Sequence, residues 1–235
     1  MILGIMQPYF VPYLGYFCLI KHVDLFILLD EVQFIRHGWI ERNRILHPND
    51  GWQYIKVPLN KHDQETKIRH ISINNTDNWK KRILAQLAHY KKIAPFYLEV
   101  VRLLEETFSD EYDDISHLNK SSLEHVCDYL NISTPIGLFS EMDLAIEKVS
   151  FPDDWALNIC KTIGANEYWN PPGGKTFFDS DKYKVSDISL KFVKINLSPY
   201  FQGRRSFVEG LSIIDVLMFN SKEEVVRMLD SFTFI

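Results

Sequence analysis

The segment after the first apolar run concentrates rigid and hydrogen-bonding residues. It reads QPYFVPYLGY from residue 7 to residue 16, and its two prolines restrict the backbone. The side chains of Gln7, Tyr9, Tyr13 and Tyr16 can bond sugar hydroxyls or phosphate oxygens, and Gly15 permits close approach of a ligand. The alternative is a loop packed on the core, with its hydroxyls bonded to neighbouring backbone. We expect this segment to form one wall of a ligand site.

A second polar segment, residues 30–44, follows the next apolar run. The guanidinium groups of Arg36, Arg42 and Arg44 can each hold a phosphate through two hydrogen bonds. Asp30 and His37 are the candidate catalytic residues, because a carboxylate or an imidazole can take a proton from a reacting amine. The alternative is an exposed charged loop, or structural Asp–Arg pairs. The remaining candidate ligand contacts of this segment are Gln33, Trp39 and Asn43.

A third candidate segment, residues 168–175, reads YWNPPGGK and contains the sharpest break in the chain. The side chain of Asn170, the backbone amides of Gly173 and Gly174 and the indole of Trp169 can together cover a ligand. The alternative is a tight turn with a buried tryptophan. We expect a ligand contact at Asn170, Gly173 and Gly174.

Common catalytic motifs are missing from the chain. It has no GxxxxGK[ST], GxGxxG, GxSxG or HExxH pattern, and no acidic run has the spacing of a calcium loop. We therefore predict no metal site built by the protein, and the cofactor stays open. A nucleotide substrate can still bring Mg²⁺, with Asp30 or Glu31 as a candidate ligand.

The elements around the first two segments predict a parallel βαβ unit. Residues 2–6 and 25–29 are continuous apolar runs without alternation, typical of strands buried on both faces, and residues 14–23 predict a helix between them. Ligands bind at the carboxyl ends of the strands in such sheets. We expect the segments that follow the two strands to lie on that edge.

The rest of the chain predicts an α/β protein with an N-terminal Rossmann-like parallel sheet and a helix-rich C-terminal half. We treat residues 1–235 as one domain; a sub-boundary near residue 75 is the alternative. Further strands are predicted at residues 52–59, 68–73 and 190–197. Helices are predicted at residues 78–90, 95–107, 115–130, 155–163, 212–220 and 223–232.

Composition narrows the class of partner. The chain has 235 residues and a formal charge of −5, which argues against a dedicated nucleic-acid binder. Its three cysteines are widely spaced, as expected of free thiols in a reducing compartment, and no apolar run is long enough to span a membrane. We predict a cytoplasmic protein with a small-molecule substrate, and we leave a homo-oligomer open.

The sequence resembles the WbqC-like proteins. The resemblance rests on MILGIMQPYFVPYLGYFCLI, DLFILLDEVQFIRHGWIERNRIL, EYWNPPGGKTFF and LSIIDVLMFNS, in that order, and covers almost the whole chain. It implies a role in bacterial O-antigen or other surface polysaccharide synthesis. A weaker resemblance in layout connects the first loop with the HxGH nucleotidyltransferases. Tyr13 and Tyr16 would then replace the two histidines and bring no positive charge.

Three functions fit these observations. The first is a transferase that modifies a nucleotide-linked amino sugar, for example by acylation or aminoacylation. The second is a nucleotidyltransferase-like enzyme that activates a sugar phosphate or a small acid with Mg²⁺. The third is a non-catalytic protein that binds a glycan precursor or another protein of the pathway. We expect the transferase.

Overall fold

The computed structural model describes residues 1–235, and its N-terminus forms the predicted βαβ unit. Strand β1 (Ile2–Met6) leads through the first polar segment into helix α1 (Leu14–Lys21) and strand β2 (Leu25–Leu28). The two strands pair in parallel, with Leu3 opposite Leu25. The parallel arrangement explains why both strands are apolar on both faces, since helices cover each side of such a sheet.

A β-hairpin follows as a separate two-stranded sheet. Strand β3 (Arg42–Leu46) pairs antiparallel with strand β4 (Trp52–Lys56), which lies within the predicted strand at residues 52–59. The strand predicted at residues 68–73 is wrong, because Ile68–His70 is a short 3₁₀-helix. Ile68 and Ile71 are both buried, and their spacing of three residues suits a 3₁₀ turn better than a strand.

Helices and strands of the later part complete the fold. Helix α5 (Asp154–Ile163) ends at Gly164, whose φ of 76° is the left-handed conformation expected of a helix-terminating glycine. The other α-helices and strands are α2 (Trp79–Gln86), α3 (Tyr97–Thr107), α4 (Ile115–Tyr129), β5 (Ile136–Leu138), β6 (Glu167–Asn170), α6 (Ser180–Val185), β7 (Ser189–Ile195), α7 (Ile213–Phe219), α8 (Lys222–Leu229) and β8 (Phe232–Phe234).

The main sheet has six strands in the order β5-β2-β1-β6-β7-β8. All neighbouring pairs are parallel except β7 with β8, which is antiparallel. The predicted α/β class with a parallel sheet is therefore confirmed, and strands from the C-terminal part extend that sheet. Strand β1 lies between β2 and β6, so the ends of these three strands are neighbours.

Two hydrophobic cores lie on opposite faces of the sheet. Phe26 and Leu28 of β2 belong to the larger core, whereas Ile27 between them belongs to the smaller core. Successive strand residues point to opposite faces, so this alternation assigns one core to each face. Helices α1, α4 and α7 contribute to the larger core, and α5 contributes to the smaller one.

A buried carboxylate joins the C-terminal part to the larger core. Asp215 of α7 is fully buried and accepts hydrogen bonds from the hydroxyls of Tyr90 (2.7 Å) and Tyr200 (2.6 Å) and from the amide of Gln202 (2.9 Å). The Tyr90 oxygen also accepts a bond from the backbone N–H of Leu46 in β3. The network therefore ties the segment before α7 to the hairpin.

None of the helices combines the length and the apolar character of a membrane span.

Candidate functional site

A cavity of about 1130 Å³ opens at the carboxyl ends of β1, β2 and β6. Met6 and Gln7 line it at the end of β1, Leu29 directly after β2, and Asn170 at the end of β6. Residues from all three polar segments of the sequence line this cavity. It therefore occupies the edge where parallel sheets bind ligands.

The first polar segment contributes phenol and amide groups to the cavity. Gln7, Tyr9 and Tyr13 line it, and burial raises the pKa of both Tyr9 and Tyr13, so their hydroxyls stay protonated and can donate hydrogen bonds at neutral pH. Tyr16 is fully buried instead, and its hydroxyl donates to the carbonyl oxygen of Gln7 (2.8 Å). Gly15 provides room for the Tyr13 ring, which a Cβ atom there would overlap.

Two buried asparagines fix the backbone of this segment. The Asn43 amide donates to the carbonyl oxygens of Phe10 (3.0 Å) and Val11 (3.1 Å), and the Asn119 amide donates to that of Pro8 (2.9 Å). Val11 has a φ of 36°, which is unfavourable for a β-branched residue. The two amides hold the loop in this strained shape, so Asn43 shapes the cavity as well as lining it.

Arg44 is the cation of the cavity lining. Its guanidinium lies 5.3 Å from the ring centre of Trp39 and 5.2 Å from that of Trp52, and it donates to the carbonyl oxygen of Gly210 (2.9 Å). Its Nε is buried and has no hydrogen-bond partner. The guanidinium has further N–H groups at its terminal nitrogens, and these are suited to an anionic oxygen of a ligand in the cavity.

The neighbouring acids Asp30 and Glu31 have different surroundings. Asp30 is buried outside the cavity lining and accepts hydrogen bonds from the backbone N–H (3.0 Å) and the hydroxyl (2.6 Å) of Ser140. Burial outweighs these bonds and raises the pKa of Asp30. Glu31 lines the cavity and forms ion pairs with Lys67 and Arg69. Glu31 is thus the carboxylate that a ligand in the cavity meets.

The other residues of the second segment divide between the cavity and the surface. Gln33 lines the cavity, whereas Arg36, His37 and Arg42 do not. Arg36 and His37 are exposed, and His37 has a left-handed backbone with a φ of 63°. Arg42 lies over the Tyr54 ring, 4.2 Å from its centre, and donates to the carbonyl oxygens of residues 37 and 38. The structure brings only one of the three candidate arginines to the cavity.

The third segment forms a loop over the end of β6. Asn170, Gly173 and Gly174 all line the cavity, and the Asn170 amide donates to the hydroxyl of Tyr168. A Cβ atom on Gly173 would meet nothing within 4 Å, whereas one on Gly174 would lie 2.9 Å from the Phe178 ring. Gly173 therefore borders open space, and Gly174 is packed against its neighbours.

Sequence reasoning missed an apolar part of the cavity, here called the aromatic wall. It contains no residue from the first two polar segments and comes from the chain before and within α5 and from the end of the loop after β6. The sequence carried one signal for it: Phe151 directly precedes Pro152, and Phe177 and Phe178 follow the Pro-Pro-Gly-Gly turn by a few residues. The aromatic wall consists of Phe151, Pro152, Trp155, Phe177 and Phe178.

The titratable groups of the cavity are few. Its lining includes one carboxylate, Glu31, one guanidinium, Arg44, and phenols, but no histidine, cysteine or lysine. No group of three or more His, Cys, Asp or Glu side chains is arranged to hold a metal ion. The three cysteines are buried free thiols elsewhere in the chain.

Comparison with known proteins gives a family match. The sequence model of the WbqC-like protein family matches residues 7–227, which include all three cavity-lining segments. The chain is also similar to a curated protein of Mycobacterium tuberculosis (strain ATCC 25618 / H37Rv), described as uncharacterized protein Rv1507c. The two are 30% identical over 219 residues, or 91% of each chain. No solved structure gives a significant match.

Proposed function

The chain belongs to the WbqC-like protein family, and we propose that it is a cytoplasmic transferase of bacterial surface polysaccharide (O-antigen-type) biosynthesis. Its substrate would be a nucleotide-linked amino sugar, and the transferred group an acyl or aminoacyl group. The proposal rests on the cavity at the sheet edge, which combines one positive charge with phenols and amides in a largely apolar enclosure.

Arg44 would bind the diphosphate of the substrate. Its guanidinium lies 5.3 Å and 5.2 Å from the centres of two tryptophan rings and donates one hydrogen bond, to Gly210, so its other terminal N–H groups can add a charge-assisted bond to a phosphate oxygen. The hydroxyls of Tyr9 and Tyr13 and the amides of Gln7 and Asn170 are hydrogen-bonding groups suited to a sugar.

Glu31 is the group we assign to proton transfer. Acyl transfer to an amine forms a carbon–nitrogen bond and releases one proton from the nitrogen, so a base at the site assists the reaction. The sequence predicts Asp30 or His37 in this role, but in the structure the Asp30 carboxylate is hydrogen-bonded to Ser140 and His37 is exposed outside the cavity lining. The Glu31 carboxylate lines the cavity with its charge matched by Lys67 and Arg69.

A thermal-shift screen tests the proposal. Purified protein would be heated with UDP-, dTDP- and GDP-linked amino sugars, with the free nucleotides and with ATP, each with and without Mg²⁺. A ligand at 100 times its Kd stabilises the folded state by about 2.7 kcal/mol, enough to raise the Tm by several degrees. We expect a shift with one class of nucleotide sugar. A shift confined to ATP with Mg²⁺ would favour a nucleotidyltransferase, and no shift with any compound would contradict the proposal and favour a non-catalytic partner.

A further inference from the structure

The aromatic wall differs in chemistry from the rest of the cavity. The two segments that form it, residues 151–155 and 177–178, contribute no charged side chain to the lining. The cavity's lining charges, Arg44 and Glu31, both come from the second polar segment. The cavity therefore has a polar side and an apolar side.

These two sides belong to opposite faces of the sheet. Trp155 and Phe178 of the aromatic wall pack against the smaller core, whereas Tyr9 and Tyr13 of the polar side pack against the larger core. The faces of the sheet thus place the apolar and polar groups apart, with the strand ends between them. A ligand that contacts both sides has one polar part and one apolar part.

The size of the cavity leaves room for two ligand groups. Its volume of about 1130 Å³ lies above the usual range of about 300–1,000 Å³ for the pocket of one small molecule. Gly173 adds open space, because no atom lies within 4 Å of the position of a Cβ there. A nucleotide sugar on the polar side would leave the aromatic wall uncovered.

The aromatic wall is exposed at the cavity mouth. Phe151 is 61% exposed and Phe177 is 53% exposed, and Ile35, which also lines the cavity, is 57% exposed. Clustered exposed apolar side chains are typical of binding surfaces, because a ligand that covers them removes their area from water. The three residues form the mouth of the same cavity, so the occupant they suit is part of a small molecule rather than a second protein.

A charge cluster holds the Phe151 end of the aromatic wall. The Lys182 ammonium lies 4.6 Å from the centre of the Phe151 ring and bonds the carboxylates of Asp153 (3.1 Å) and Asp154 (2.9 Å). Asp153 is buried and also accepts a bond from the backbone N–H of Asp179 at the start of α6. Because this end of the wall is held before a ligand arrives, less conformational freedom is lost there on binding.

We propose that the aromatic wall binds the acyl chain of a thioester, the donor substrate of the transferase; this inference rests on the proposed function. The amine nitrogen of the bound sugar bonds to the acyl carbon, the carbon–sulfur bond breaks, and the proton that the nitrogen loses passes through the Glu31 carboxylate to the leaving thiolate. A thioester carries its own activation, so the reaction needs no further co-reactant. We expect the chain to be aliphatic, because the wall contains no charged side chain and its only side-chain hydrogen-bonding group is the indole N–H of Trp155.

The experiment compares two phosphate-free thioesters, acetyl- and octanoyl-N-acetylcysteamine, by isothermal titration calorimetry. Neither probe carries a phosphate for Arg44, so the difference between them reports the chain alone. We expect the octanoyl probe to bind at least tenfold more tightly to the wild type. Phe177→Ser, at an exposed position, should remove most of that preference, and Phe201→Ser is the control because Phe201 is 75% exposed and lies outside the cavity lining.

A second variant narrows the cavity without removing any group. Gly173→Leu places a side chain in the open space beside the wall, and it should weaken octanoyl binding more than acetyl binding. Equal affinity of the wild type for both probes, or equal behaviour of Phe177→Ser and Phe201→Ser, would overturn the inference.

Nucleotide-sugar binding by the same variants separates the two proposals. Phe177→Ser should keep the affinity of the wild type for the nucleotide sugar, because Phe177 is on the apolar side. Nucleotide-sugar binding with no chain-length preference would overturn the acyl site and leave the proposed function standing. Octanoyl binding without any nucleotide-sugar binding would overturn the proposed function and support the acyl site.

Discussion

Replacing Gly174 by alanine tests how the loop after β6 is packed. A Cβ atom there would lie 2.9 Å from the Phe178 ring and 3.1 Å from Cγ of Asn170, and closer still to the Asn170 carbonyl oxygen. Carbon atoms in contact are normally about 3.5–4.0 Å apart, so both neighbours have to move by roughly 0.5–1 Å. Overpacking of this kind costs about 1–3 kcal/mol of the free energy of unfolding.

Gly173→Ala is the matched control for this change. The same methyl group at Gly173 meets nothing within 4 Å, and neither glycine has a left-handed backbone. In a chain of this size, 1 kcal/mol changes the Tm by about 2–4 °C. We therefore expect Gly174→Ala to lower the Tm by about 2–12 °C in calorimetry, and Gly173→Ala to leave it unchanged or slightly raised. Equal Tm values for the two variants would refute this account of the packing.

Three further predictions concern buried and ion-paired carboxylates. Asp215→Ala removes the acceptor of the Tyr90 and Tyr200 hydroxyls and one acceptor of the Gln202 amide, so the free energy of unfolding in urea should fall by about 3 kcal/mol; a change below about 1 kcal/mol would contradict the network. Ser140→Ala removes the hydrogen bond from the Ser140 hydroxyl to Asp30, so the free energy of unfolding should fall by about 1 kcal/mol. The pKa of Asp30, followed by NMR titration of its carboxyl carbon, should rise further. The Lys182 ammonium lowers the pKa of Asp154 from 3.8 to about 2, so this ion pair stabilises the fold above about pH 4 and is lost as the pH falls toward 2. The Tm of Asp154→Asn should therefore fall less than that of the wild type as the pH is lowered through this window. The same dependence of Tm on pH in both proteins would contradict a stabilising ion pair.

The N-terminal βαβ unit could be predicted because its signals are local. Both strands are continuous apolar runs, the helix between them is short and apolar, and parallel pairing follows from that pattern. The pairing of β1 with β6 is a contact between residues 2–4 and 167–169, and no local pattern predicts it. It is this pairing that brings the third polar segment to the same edge as the first two.

The hairpin was harder to predict, since β3 begins with Arg42, Asn43 and Arg44. Charged and amide side chains are typical of loops, and the sequence favoured a loop there. The structure gives each a separate partner: Arg42 stacks on Tyr54, Asn43 bonds the first loop, and Arg44 faces the cavity. These tertiary contacts override the weak strand propensity.

The polar part of the candidate site was easier to anticipate than its apolar part. Tyrosine, arginine and asparagine after apolar strands indicate a site, whereas phenylalanine and proline near a helix start usually indicate core packing. Phe151 and Phe177 are distinguished only by their exposure at the cavity mouth, which the sequence does not reveal. The treatment of residues 1–235 as one domain stays a prediction.

The affinity of Arg44→Gln for the nucleotide sugar that gives the largest thermal shift tests the proposed function most directly. Arg36→Gln is the control, since Arg36 is exposed and outside the cavity lining. A hydrogen bond to a charged group contributes about 1.5–3 kcal/mol, which corresponds to roughly 10- to 150-fold in Kd. We predict that Arg44→Gln raises the Kd by about that factor in calorimetry and that Arg36→Gln leaves it unchanged. Wild-type affinity in Arg44→Gln, at an unchanged Tm of the free protein, would contradict the assignment of this cavity as the nucleotide-sugar site.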